Sequence, residues 1–503
     1  MATASSPISE RPAPQPQEKQ ESFFPTPNQF FALLAAYIAV QIITRSLVTE
    51  AAGIDEADQL VRGQQWSWGY GPQAPLYTWL MTFFLRTFGS SVFSLALLRE
   101  LMLFGIYALT YLNARWFAHS HLCGLAAALA LQFHPTIVWE SQRELTHSIA
   151  ASLMVLAMLL AFQRLRKEQL WPWVAFGICA GLATLSKYNA ALVCGALLIS
   201  ALSLPSLRQR VLDWRMILAL VVSILIVLPN ALWAAQHTAE ASGSMYKLGI
   251  HETMSWPSAV KTGLWVWFET ALLHVLPLVA LFAVLFCPAF FRAAWRTAND
   301  DAKCLCRVFL ILNVVIVLSI LIFKVTAFKD RWLQPLFIWL PILLVLLVKD
   351  SLAGRRLNIL LGVGAAITVA MAAVIPGRLF FTEARGRRDV LNAPFRRLAA
   401  DLAEPLRNAD CVIVDGYWLA GNLNLRFPEK RIYSVDLNPP TTNVANCVLV
   451  WDATRRTNAP EALLHFANRQ ENGKGLSAPL FLEEKWKYHK SKTMRLGVLK
   501  VGP

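Results

Sequence analysis

The stretch "GIDEADQLVRGQQWSWGYGPQAPLYTWL", residues 53–80, follows the first long apolar run of the chain. It opens on two adjacent carboxylates, Asp55 and Glu56, and closes on aromatics and prolines. Across 55–66 the apolar Ala57, Leu60 and Val61 recur at helical spacing, with Asp55, Glu56, Gln59 and Arg62 at the other positions. That is the pattern of a short helix lying in a membrane interface. Trp66, Trp68 and Tyr70 follow where amphipathic rings sit at headgroup level, and Pro72 and Pro75 turn the chain into another apolar segment, 76–85. Taken alone, the carboxylates read as the acidic start of a helix, favourable by about 0.3–1 kcal/mol. A chemical role requires partners from elsewhere.

The whole chain sets the context. It is 56% hydrophobic and 16% charged over 503 residues, with a mean hydropathy of +0.44. This excludes an ordinary soluble domain and predicts a polytopic α-helical membrane protein. Runs of near-spanning length lie at 30–47, 92–112, 121–138, 148–163, 170–185, 189–204, 216–234, 264–287, 307–323, 333–348 and 357–375, about eleven spans. Residues 1–29, rich in Pro, Ser, Gln and Glu, read as a disordered cytoplasmic tail. No cleavable signal pattern precedes the first span, which is expected to stay as an anchor.

With that tail inside, the even-numbered links carry 14 Lys and Arg in short loops, against 9 in the longer opposite loops. The positive-inside rule favours this orientation. The loops with unusual polar chemistry, 53–80, 139–147, 186–189, 235–263 and 324–331, then share the outer face.

From residue 376 the pattern changes to an extracytoplasmic α/β domain, 376–503. "DCVIVDGYWLAGNLNLRF", "RIYSVDL" and "NCVLVWDA" read as short buried strands, and "APEALLHFANRQ" as an amphipathic helix. Lys and Arg outnumber Asp and Glu there by 20 to 13, which suits an anionic membrane or glycolipid as well as plain solubility. Cys411 and Cys447 fall in two candidate strands and could pair in an oxidising compartment. Cys123, Cys179 and Cys194 sit in apolar runs as small hydrophobes, and Cys304-Leu-Cys306 is too short a pair for a metal site. No Gly-rich loop leads into a helix, so a nucleotide-sugar or ATP site has no support.

The outer loops supply cations near span ends: Arg143, Lys187, Lys324, Lys329 and Arg331. Ionisable groups at such depth pair or line a functional cavity. A carboxylate facing several cations suits transfer from a lipid phosphate: cations hold the leaving phosphate while the carboxylate takes a proton from an acceptor hydroxyl. Asp330 is expected to pair with one neighbouring cation, and Arg331 is favoured over Lys324 for its fork geometry. In "VWESQRELTHS", Arg143 and His147 are four apart and share a face if the link continues as helix. Arg143 would then contact a donor phosphate or acidic sugar and His147 a hydroxyl; a helix cap with local ion pairs is the alternative. Glu140 and His147 lack the clustered partners of a metal site. Lys187, beside Tyr188, either snorkels to the interface or faces the site. The 235–263 loop, with His237 and His251, is a cover over substrate or a connector.

The 55–57 carboxylate loop resembles the membrane glycosyltransferases of family 39 type. So do the turn Gly69-Tyr70-Gly71-Pro72-Gln73-Ala74-Pro75-Leu76, the 139–148 loop and Leu185-Ser186-Lys187, with a looser match over Lys329-Asp330-Arg331-Trp332. That family includes protein O-mannosyltransferases, lipid A aminoarabinose transferases and lipopolysaccharide galacturonosyltransferases. The resemblance implies a GT-C fold, a polyprenyl-phosphate sugar donor, inversion at the anomeric carbon and a bacterial inner-membrane enzyme with a periplasmic active face. It implies Asp55 as catalytic carboxylate with Glu56 as its supporting acid, and Lys187 as a lysine at an outer span end. Arg143, Lys187, Lys329 and Arg331 are the phosphate candidates; Trp68, Tyr70, Glu140, His147 and Tyr188 are the substrate candidates. One departure is the absence of the lysine that aminoarabinose transferases carry before a Pro-Pro-Leu-like turn, where Gln73 and Ala74 stand here. A divalent cation is compatible with the site but not demanded by any spacing. The expected acceptor is lipid A or another envelope glycolipid. Protein O-glycosylation and a lipid-linked sugar transporter are the alternatives; the second would need polar residues on both faces or at the midplane.

Overall fold

The computed structural model describes residues 24–250, 253–296, 299–439, 446–471 and 478–501. The expectations for residues 1–23 and for His251 lie outside these. Each apolar run of the sequence forms at least part of a helix. Among the described residues six helices are long and apolar enough to cross a bilayer: Pro27–Val48, Val92–Ala118, Arg215–Gln236, Trp256–Pro288, Asp300–Phe323 and Gly354–Phe380. A seventh crossing arises if Asp330–Phe337 and Leu340–Ser351, bent by 49°, act as one. His121–Phe133, His147–Gln163, Trp171–Ser186 and Tyr188–Leu202 are apolar but shorter. The first helix starts before its hydropathic boundary at 30 because its end turn is capped: Thr26 accepts from the Gln29 backbone N–H.

Val92–Ala118 is the central post, with Leu95, Leu103, Ile106 and Tyr111 fully buried against its neighbours. Small residues allow close crossings elsewhere. A Cβ on Gly177 would come within 2.3 Å of the Ala219 carbonyl, so Trp171–Ser186 and Arg215–Gln236 touch backbone to backbone.

Beyond Phe380 the chain builds a five-stranded sheet in the order β2-β1-β3-β5-β4. The strands are β1 Cys411–Val414, β2 Arg431–Ser434, β3 Cys447–Asp452, β4 Leu480–Lys485 and β5 Thr493–Val501. β1 runs parallel to β2 and β3, whereas β5 is antiparallel to β3 and β4. Val412 and Val414 face the Phe395–Leu406 and Tyr417–Arg426 helices, while Cys411 and Ile413 face Leu463. Both faces of β1 are therefore covered, which explains its unbroken apolar run. Cys411 and Cys447 are register partners on β1 and β3 and form a disulfide.

One strand reading is corrected. Of "DCVIVDGYWLAGNLNLRF" only Cys411–Val414 is strand, and Tyr417–Arg426 is helix. Gly416, at φ 95°, breaks the extended run, and Leu419, Ala420 and Leu423 then share one buried helical face. β4 and β5 were not among the expected strands; the exposed and charged residues of β4 carry little apolar alternation.

Candidate active site

The opening stretch folds as the helix Ile54–Arg62, with Ala57, Leu60 and Val61 buried. Two sources of packing fix it. Ala57 and Leu60 join the core of the helical bundle, whereas Val61 joins the core of the C-terminal domain. The Tyr417–Arg426 helix lies directly on it: a Cβ on Gly421 would come within 2.3 Å of the Ala57 carbonyl oxygen. Asn422 Oδ1 accepts from the Ala52 N–H at 2.7 Å, and Trp418 Nε1 donates to the Ala52 carbonyl at 3.2 Å. Past the helix, the Gln64 amide pairs with both backbone groups of Ile432, donating at 2.7 Å and accepting at 3.0 Å. The carboxylate helix is thus held between membrane helices and soluble domain.

Asp55 and Glu56 have different surroundings. Glu56 is 1% exposed. Its Oε2 accepts from Arg45 Nη2 at 2.7 Å and from the Gly53 N–H at 2.8 Å, and its Oε1 faces Arg99 Nη1 at 3.3 Å. Burial pushes the Glu56 carboxyl up, but Arg45 and Arg99 outweigh it and hold the group below the usual carboxylate range. Arg99 also meets Glu100 at 3.5 Å and the Arg143 carbonyl at 3.3 Å. The intramembrane charges Arg99 and Glu100 therefore support the loop from beneath.

Asp55, one residue earlier, points elsewhere. Its side chain is 32% exposed, and Oδ2 lies 3.6 Å from Arg331 Nη1. Burial raises the Asp55 carboxyl above its ordinary value, opposed by Arg331. Lys187 follows the Trp171–Ser186 helix and turns inward: Nζ donates to Ser148 Oγ at 2.8 Å and to the Arg331 carbonyl at 2.6 Å. Burial, reinforced by Arg331, lowers the Lys187 ammonium to about 7. Ser148 Oγ also donates to the Arg331 carbonyl, at 2.8 Å. Asp55, Lys187 and Arg331, distant in sequence, thus come together in one partly exposed cluster.

The other candidates take differing roles. Asp330 was expected to pair with a neighbouring cation, but among the described residues it makes no ion pair; its Oδ1 accepts from the Arg331 N–H at 2.7 Å, leaving the Arg331 guanidinium for Asp55. Lys329 is the exposed residue preceding helix Asp330–Phe337, and Lys324 Nζ donates to the Met254 carbonyl at 3.5 Å. The 139–147 link is not one helix. Thr136–Glu140 makes a wide π-turn, and a new helix starts at His147, with Thr146 at φ −120° and ψ −80°. Arg143 and His147 therefore do not share a face. Arg143 pairs with Glu144 at 3.0 Å and lies over the Trp139 ring at 5.0 Å, while the His147 ring lies 5.7 Å from that of Tyr77. Burial, together with the Asp330 charge, raises the Glu140 carboxyl.

Tyr70 is 7% exposed, and its hydroxyl serves its own loop, accepting from the Ser67 N–H at 3.0 Å and donating to the Gln65 carbonyl at 3.2 Å. Trp66 stacks on Trp79 at 5.2 Å, and Trp68 meets Trp79 edge-on at 5.9 Å. Tyr188 donates to Asn230 Oδ1 at 3.1 Å, and Asn230 Nδ2 donates to the Trp68 carbonyl at 2.8 Å. Among the described residues no group of three or more His, Cys, Asp or Glu gathers as a metal site.

The sequence reading missed Asp58, three residues beyond Asp55 on the same helix, although that spacing was visible. Asp58 bonds Arg62 Nε at 3.1 Å and Gln59 Nε2 at 2.7 Å, and accepts from Gln73 Nε2 at 3.4 Å. Gln73 is thus tied to the carboxylate helix. Arg45 and Tyr417 were missed too. Arg45 lay within a span, and Tyr417, whose phenol feels the charges of Asp58 and Asp55, lay in a misassigned strand.

Comparison with known proteins bears on this arrangement. Residues 72–233 match the family model described as dolichyl-phosphate-mannose-protein mannosyltransferase. The chain is 31% identical over 428 residues to the lipopolysaccharide core galacturonosyltransferase RgtB of Rhizobium johnstonii, covering 84% of this chain and 86% of that protein. It is 28% identical to the core galacturonosyltransferase RgtA of the same organism, over 86% of this chain and 88% of that one. The lipid A galacturonosyltransferase RgtD, also from Rhizobium johnstonii, is 25% identical over 76% and 79% of the two chains. Among solved structures, ArnT from Cupriavidus metallidurans bound to undecaprenyl phosphate superposes with a TM-score of 0.60 at 13% identity, covering 95% of this chain and 100% of that one.

The relatives make this chain a glycosyltransferase, and the superposition on ArnT gives its helical membrane body and small C-terminal sheet the GT-C fold. The chain belongs to the family 39 type of these enzymes, in which its galacturonosyltransferase relatives fall.

Proposed function

We propose that this protein is an inverting transferase moving a sugar, in the first instance a uronic acid, from a polyprenyl-phosphate donor to a periplasmic glycolipid, the lipopolysaccharide core or lipid A. The observation that carries the reading is the Asp55, Lys187 and Arg331 cluster at one end of the bundle. The relatives' galacturonosyl activities and the undecaprenyl phosphate bound to ArnT support the sugar, acceptor and donor classes.

In the proposed step the acceptor oxygen attacks the anomeric carbon, the carbon–oxygen bond to phosphate breaks with inversion, and the acceptor proton passes to Asp55. The leaving polyprenyl phosphate gains one negative charge as that bond breaks. Cations placed for it are worth more in the transition state than in the ground state, which is how they would speed the reaction. Lys187 and Arg331 occupy that place. The raised carboxyl of Asp55 favours proton uptake. Glu56, held between Arg45 and Arg99, positions the helix rather than the proton.

Eleven spans, a cytoplasmic N-terminus and a periplasmic 376–503 domain complete the proposal. The Cys411–Cys447 disulfide supports that placement, because such bonds persist in oxidising compartments.

Mass spectrometry of envelope glycolipids tests it in a deletion strain carrying wild type, Asp55→Asn or no gene. Restoration of a uronic-acid-sized mass by wild type alone, at equal membrane expression, supports the transferase and the role of Asp55. Full restoration by Asp55→Asn removes Asp55 from the chemistry, and an unchanged glycolipid profile in the deletion removes the acceptor class.

A further inference from the structure

An open cleft of about 1030 Å³ lies where the Gly354–Phe380 helix meets the C-terminal sheet, and the transfer step at Asp55 makes no use of it. Phe380 and Phe381 form one wall, Arg397 and the β4–β5 turn from Lys485 to Lys490 another, and Glu50 closes the end. The turn is tied to the chain leaving the last helix: Thr382 Oγ1 donates to the Tyr488 carbonyl at 3.2 Å, and Lys492 Nζ to the Gly386 carbonyl at 2.9 Å. Phe380 packs against Tyr488 at 4.7 Å.

The charge of the cleft is unbalanced. Glu50 is taken by Lys487 at 3.4 Å, and Glu484 takes Arg397 at 3.0 Å. Lys485 and Lys490, both exposed, have no ion pair among the described residues, and of the lining acids only Glu383 lacks a cation. Arg385 and Arg387, exposed in the adjoining segment, add to the positive field. The level of the cleft is set by its apolar wall. Phe380 and Phe381 are 45% and 64% exposed at the end of a 27-residue apolar helix. Val374, seven residues before Phe381 and 48% exposed, continues the apolar track along the same face. Rings at a span end beside free lysines mark the headgroup plane, where cations meet lipid phosphate.

We infer that this cleft is a second, non-catalytic site that binds the phosphate headgroup of an anionic membrane lipid, with Lys485 and Lys490 on the phosphate and the acyl chains along the Phe381–Val374 face. A free phosphate would leave the apolar track unused, which is why the lipid is the chosen source. The cleft holds none of Asp55, Lys187 and Arg331, so the site stands or falls separately from the sugar transfer proposed above.

The test uses the full chain in detergent, titrated with dioleoyl phosphatidylglycerol or dioleoyl phosphatidylcholine and read by native mass spectrometry. We expect wild type to retain phosphatidylglycerol at least about tenfold more tightly than phosphatidylcholine. Lys485→Gln with Lys490→Gln should lose that preference while keeping wild-type thermal stability, and Lys485→Arg with Lys490→Arg should keep it. An unchanged preference in the glutamine pair, or none in wild type, overturns the site. Displacement of the lipid by inorganic phosphate at equal molar concentration overturns the lipid assignment.

Discussion

Asp55 Oδ2 stands 3.6 Å from Arg331 Nη1, joining the first polar loop of the chain to a late one. The same Arg331 lends its carbonyl to Lys187 and Ser148, so one residue organises both charge signs of the site. Its guanidinium is free to do so because Asp330 accepts from the Arg331 backbone instead.

Replacing Asp55 with Asn should remove the proton acceptor without disturbing the fold. Transfer is expected to fall by about 10²–10⁴-fold, the range of a positioned general base. A single-turnover assay in detergent checks it, with the thermal midpoint unchanged.

With Lys187 lowered to about 7 and in its proposed place at the donor phosphate, donor binding is expected to depend on pH. An ammonium favours the phosphate, so binding is full below that value and weakens as pH rises through it. Donor affinity measured from pH 6 to 9 should therefore fall with rising pH, by about tenfold per unit at most. Lys187→Arg should flatten the profile, since arginine stays charged throughout.

Glu56 carries a structural prediction. Glu56→Gln leaves Arg45 and Arg99 buried with their shared anion gone. Breaking a buried pair in this way costs about 3–5 kcal/mol. A large drop in thermal midpoint is expected, and a wild-type midpoint would show that the arginines find another partner.

Gly421→Leu tests the contact between soluble domain and carboxylate helix. A side chain there meets the Ala57 carbonyl, for which even a Cβ comes within 2.3 Å. Transfer should fall at least about tenfold while far-ultraviolet circular dichroism is retained, because the helix carrying Asp55 is displaced.

The disulfide between Cys411 and Cys447 closes a separation of 36 residues, worth about 4 kcal/mol by loop-closure entropy. Mutating both to Ser should lower the midpoint of the C-terminal unfolding transition. Mass mapping under non-reducing conditions from intact cells should find the pair oxidised.

How much of this was legible depends on the range of the interaction involved. Hydropathy revealed the apolar helices and the change of character near residue 376 because burial in lipid and burial in a small sheet impose different local patterns. Spacing within 55–62 revealed the short helix Ile54–Arg62, since its apolar face repeats every turn. The strand reading failed at 417–426 because Gly416 ends the extended run there, a matter of one backbone angle. The sequence by itself determined which groups were available: adjacent carboxylates after the first long span, and cations at later span ends. Only the tertiary structure decided their division of labour. Glu56 is enclosed by Arg45 and Arg99, and Asp55 is left facing Lys187 and Arg331, because neighbouring residues on a helix point about 100° apart and so enter different electrostatic surroundings.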